Sequence, residues 1–86
     1  MEERILVVDD EKPILELLST ALEIWGYSTV TADSGEYALD ILKQDDFQCM
    51  FLDLKLPDVD GITLCKKIRK LSPIACIYAM TGYGKV

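Results

Sequence analysis

The sequence predicts an α/β domain: a parallel sheet in strand order 2-1-3-4 with helices on both faces. Three observations predict it. Short apolar runs alternate with amphipathic stretches, the sign of βαβ units. The runs Ile5-Leu6-Val7-Val8 and Cys49-Met50-Phe51-Leu52 are continuous rather than alternating, as in strands buried on both faces. Both end on acids, Asp9-Asp10 and Asp53, and right-handed crossovers bring those ends to one sheet edge where the strand order reverses.

Each element follows in turn. Residues 4–9 form the first strand. Pro13 suits a first helical turn, so residues 13–25 form a helix that Gly26 can stop in a left-handed conformation. Residues 28–32 are β-branched and half polar, as an edge strand is. Asp33 followed by Glu36 reads as a capping box for a second helix reaching Lys43. Residues 48–53 form the third strand. The loop over residues 55–61 feeds a third helix, residues 62–71, with Leu64, Cys65, Ile68 and Leu71 on one face and Lys66, Lys67, Arg69 and Lys70 on the wet side. Ser72-Pro73 ends it, and residues 74–81 form the fourth strand before a short tail.

Two features break the pattern. The fourth strand is too apolar for an edge, which normally carries charge or proline. The first helix has only a narrow polar stripe, Glu16, Ser19, Thr20 and Glu23, so its apolar arc exceeds what a sheet alone covers. Both imply further cover on the strand-four side.

Composition bounds the function. Eighty-six residues make one small domain, here 1–86, half apolar and 28% charged, which argues against disorder. A net charge of −6 and a pI near 4.4 argue against direct nucleic-acid binding. Cys49, Cys65 and Cys76 lie in apolar runs without CxxC spacing and read as small buried hydrophobes of a reducing cytoplasm. There is no histidine, so a zinc site is disfavoured. No segment looks like a signal peptide or a membrane span, so the expected location is cytoplasmic.

Three carboxylates in one small space repel or share a hard cation, and Mg²⁺ is the economical choice. A carboxylate beside such an ion can accept a phosphoryl group, which singles out Asp53. An enzyme with an aspartate nucleophile of the haloacid-dehalogenase type would want a second aspartate two residues on, where this chain has Lys55. The expectation is therefore not an enzyme.

The motifs Val7-Val8-Asp9-Asp10, Phe51-Leu52-Asp53, Leu56-Pro57-Asp58-Val59-Asp60-Gly61 and Ala79-Met80-Thr81-Gly82 resemble the receiver domain of two-component response regulators, a flavodoxin-like fold. The resemblance spans the whole chain. It implies Asp53 as phosphoacceptor, Asp10 as a direct Mg²⁺ ligand, Asp9 as one acting mostly through water, the Lys55 backbone carbonyl as a further ligand, and Thr81 as the switch hydroxyl. It implies a sensor histidine kinase or phosphotransfer protein as partner. A complete receiver continues through a fourth helix, a fifth strand ending in lysine and a fifth helix. The expectation is thus a receiver truncated after strand four, with weakened phosphotransfer. The alternative is a self-associating fragment that dimerises through strand four and helix one.

Overall fold

A computed structural model describes residues 3–80. Thr81 and the tail after it lie outside the described residues. The sheet is fully parallel in the order β2-β1-β3-β4, from β1 (Arg4–Val8), β2 (Ser28–Ala32), β3 (Cys49–Asp53) and β4 (Cys76–Met80). Three helices, α1 (Lys12–Ile24), α2 (Gly35–Gln44) and α3 (Gly61–Leu71), connect the strands.

The two sheet faces hold separate apolar clusters. On one, Leu6, Val8, Met50 and Leu52 pack with Ala38 and Leu42 of α2 and Leu64 and Ile68 of α3, all buried. On the other, Ile5 and Val7 meet Leu15, Leu18 and Leu22 of α1. This is the flavodoxin-like arrangement expected, with α1 the one helix on its face among the described residues.

Element ends depart from the sequence reading for local reasons. The first strand stops at Val8, although the Asp9 amide still donates to the Ala32 carbonyl at 3.1 Å. The first helix begins at Lys12 and places Pro13 in its first turn. It closes as expected: Gly26 takes φ 95°, and the Gly26 and Tyr27 amides donate to the Glu23 and Leu22 carbonyls in a Schellman motif.

Asp33 does not cap α2. Ser34 does, its Oγ accepting from the Tyr37 amide at 3.1 Å, and Asp33 stays exposed. The fourth strand starts at Cys76, not residue 74, because residues 72–75 form a turn. The Arg69 guanidinium braces that turn by donating to the Pro73 carbonyl at 3.1 Å and the Ala75 carbonyl at 2.6 Å. Ile74 is consequently 98% exposed.

Among the described residues β4 pairs with β3 alone and is the sheet edge. Tyr78 stacks on Phe51 of β3 with ring centroids 5.2 Å apart, yet remains half exposed. Leu17, Ile24 and Trp25 of α1 are also exposed. The broad apolar arc read from the sequence therefore persists in the fold. The cysteine reading needs correction: Cys76 is exposed, and Cys49 and Cys65 are half-buried. Among the described residues no helix is long and apolar enough to cross a membrane.

Candidate functional site

Parallel pairing of β1 with β3 matches Val8 to Leu52, so the chain leaves the sheet at Asp9 and Asp53 on the same edge. Both side chains are buried, at 1% and 0% exposure, while Asp10 is exposed. One ligand oxygen from each of Asp9, Asp10 and Asp53 lies within 4.8 Å of the others.

The two buried acids are oriented by the same local device. Asp9 Oδ1 accepts from the Glu11 amide at 2.8 Å, and Asp53 Oδ1 accepts from the Lys55 amide at 3.0 Å. Each is an Asx-type turn in which a carboxylate holds the backbone two residues on. The turn fixes the side chain and starts the loop that follows its strand. It also brings the Lys55 backbone to the edge beside Asp53.

The donor set is entirely hard oxygen, from three carboxylates. Such a set suits Mg²⁺, which is held by a few carboxylates while keeping waters. Of the residues singled out from sequence, Asp9, Asp10 and Asp53 are brought together, and the Lys55 amide lies against Asp53. Thr81 lies outside the described residues. Its neighbour Met80 pairs with Asp53 in register, and the Met80 carbonyl accepts from the Leu54 amide at 2.9 Å.

Two acids of the β3–α3 loop were not recognised from sequence as structural clamps. Asp58 accepts from the Gly35 amide at 3.1 Å and the Glu36 amide at 2.9 Å, gripping the N-terminus of α2. Asp60 caps α3, its Oδ2 accepting from the Thr63 amide and hydroxyl, both at 3.1 Å. The cap at Asp60 was legible as an acid just before a helix. The reach from Asp58 to Gly35 crosses 23 residues, and no local pattern signals it. Behind the loop, Gly61 is required by space, since a Cβ there would lie 2.7 Å from the Leu54 carbonyl oxygen.

These hydrogen bonds hold both carboxyls below their usual value of 3.8, chiefly through the Glu36 amide at Asp58 and the Thr63 amide at Asp60. A folded-state pKa below the unfolded one contributes stability above the unfolded value, lost as pH falls through the folded value. Acid unfolding is therefore expected to steepen below about pH 4. Asp58→Asn should flatten that limb in a urea-denaturation series across pH; an unchanged acid limb would remove Asp58 from the account.

A model of the response regulator receiver domain matches residues 5–86. The chain belongs to that family. A response regulator receiver domain protein (CheY-like) from Methanospirillum hungatei superposes with a TM-score of 0.92 and 34% identity, covering 98% of this chain and 67% of that one. The response regulator TrrA from Thermotoga maritima, solved in complex with Mg²⁺ and BeF, is 38% identical with a TM-score of 0.88, over 96% of this chain and 72% of its own. TrrA has also been solved with the histidine kinase ThkA. The probable transcriptional regulator ycf27 of Porphyra purpurea is 41% identical over 85 residues, 99% of this receiver and 35% of that protein. The receiver thus spans about a third of the length of the ycf27 regulators it matches. It is a regulatory domain of two-component signalling.

Proposed function

We propose that this receiver takes up a phosphoryl group on Asp53 in an Mg²⁺-dependent reaction, the donor being a sensor histidine kinase or phosphotransfer protein. The observation that carries the proposal is the convergence of Asp9, Asp10 and Asp53 within 4.8 Å at the ends of β1 and β3. Asp9, Asp10, Asp53 and the Lys55 backbone carbonyl would hold the ion, which supplies charge neutralisation for an anionic phosphoryl group. The chain supplies position. The Lys55 amide fixes one Asp53 oxygen, so the carboxylate meets phosphorus without having to find its orientation. A carboxylate oxygen attacks phosphorus in line, the bond to the donor nitrogen breaks, and an acyl phosphate remains on Asp53. Thr81 would then donate its hydroxyl to that phosphoryl group.

TrrA supports this reading, having been solved both with Mg²⁺ and BeF and with a histidine kinase. The charge of −6 opposes direct contact of the domain with nucleic acid. The test is intact-mass measurement after treatment with a small phosphodonor and Mg²⁺. A gain of one phosphoryl group is expected, abolished by Asp53→Asn and by EDTA. No gain in the parent would overturn the proposal.

A second reading is self-association. It is favoured by the exposed Leu17, Ile24, Trp25 and Tyr78 and by an edge strand, Cys76–Met80, free of charge and proline. A second copy pairing at that edge would form a symmetric dimer. Light scattering at micromolar concentration is expected to give twice the mass of one chain; a monomer sinks this reading.

A further inference from the structure

Cys49 and Cys76 are register partners on the adjacent parallel strands β3 and β4. Neighbouring strands lie about 4.7–4.9 Å apart, inside the roughly 4.4–6.8 Å between Cα atoms that a disulfide spans. Residues in register on parallel neighbours point to the same face, so the two thiols stand side by side on the α1 side of the sheet. Cys49 packs there with Ile5, Val7 and Leu15. Cys76 is exposed and within reach of an oxidant. Cys65 sits on α3 against the opposite cluster, with the sheet between it and the pair.

We propose that Cys49 and Cys76 form a reversible cross-strand disulfide when the protein meets a peroxide. The chemistry starts at the exposed thiol. Cys76 is oxidised to a sulfenic acid while the peroxide is reduced and one water leaves. Cys49 sulfur then attacks Cys76 sulfur, the S–S bond forms, the S–O bond breaks, and a second water carries away the Cys49 proton. Two thiols and one hydrogen peroxide thus give one disulfide and two waters. Burial first, and the neighbouring Cys76 second, push the Cys49 thiol up, so ring closure should quicken as pH rises into the alkaline range.

Disulfide Cβ atoms stand about 3.5–4.5 Å apart, closer than the strand spacing, so closure draws the strands together. β4 can yield because, among the described residues, it is paired on one side only. With Cys76 exposed, the bond stays open to reductants, as suits a switch rather than a permanent staple. The bond would tie the starts of the two strands whose far ends carry Asp53 and Met80.

The test uses the full chain, treated with hydrogen peroxide at mildly alkaline pH, alkylated, and digested with trypsin. The three cysteines fall on separate peptides, 44–55, 56–66 and 71–85. The expected product is a monomer two hydrogens lighter, with 44–55 joined to 71–85, 56–66 alkylated, and full reversal by dithiothreitol. Cys65→Ser should behave as the parent, and Cys76→Ser should form no link. A link between two chains, a link through Cys65, overoxidation of Cys76 without a link, or no mass change would each overturn the proposal. Because the peptide map is read on the parent protein, a variant that fails to fold does not rescue it.

Discussion

Adding Mg²⁺ is expected to raise the unfolding free energy of this receiver, and Asp10→Asn is expected to remove most of that rise. A ligand that binds only the folded state stabilises it by about 2.7 kcal/mol at a hundred times its Kd. The acids converge only because β1 and β3 pair in parallel, so the unfolded chain offers no comparable site. Asp10 is the exposed member of the cluster, and changing it disturbs no buried packing. Its loss should weaken Mg²⁺ by more than the roughly 10–100-fold seen when an outer-shell partner is removed. Asp53→Asn sharpens the test. Asparagine keeps an oxygen for the Lys55 amide but removes one of three crowded negative charges. Without metal that variant should melt above the parent; with Mg²⁺ the order should reverse. Urea titrations with and without the ion measure both. A parent indifferent to Mg²⁺, or an Asp53→Asn protein that is less stable without it, would contradict this account of the cluster.

Leu64→Ala is expected to cost about 2–5 kcal/mol, the range for deleting a fully buried leucine. Leu64 has no exposure, belongs to the cluster formed with α2 and the sheet, and approaches Gly35 at the start of α2. Domains have about 5–15 kcal/mol in total, and one this small buries a modest share of its surface. The variant should therefore lose much of its stability, with a lower urea midpoint. Leu17→Ala provides the contrast. Leu17 is 65% exposed, so its truncation should stay within about 0.5 kcal/mol of the parent. If Leu17→Ala proves as damaging as Leu64→Ala, the α1 face is covered in solution, as the self-association reading requires.

The strand order and the position of the acids were legible because they rest on short-range signals. Continuous apolar runs mark buried strands, and an acid at the end of such a run marks the edge it exits. Gly26 was legible for the same reason, since a glycine after an amphipathic stretch can adopt the left-handed cap by itself. The cap of α2 was misread by one residue. Asp33 and Ser34 are both good caps in isolation, and what separates them is the Asp58 carboxylate, which takes the Gly35 and Glu36 amides from across the fold. Ile74 was placed in β4 by its apolarity, but Arg69 draws the carbonyls of residues 73 and 75 into a turn and leaves it in water.

From the sequence alone come the α/β class, the sheet order, the family resemblance and the acidic trio, because each depends on residue type and local period. The tertiary structure decided which acids act as clamps, where β4 begins, and that Cys49 faces Cys76. The Asp58 clamp reaches across 23 residues and the cysteine pairing rests on strand register, while the start of β4 rests on the Arg69 side chain reaching the Pro73 and Ala75 carbonyls. Register is set by how whole faces bury against one another, and no local pattern contains it.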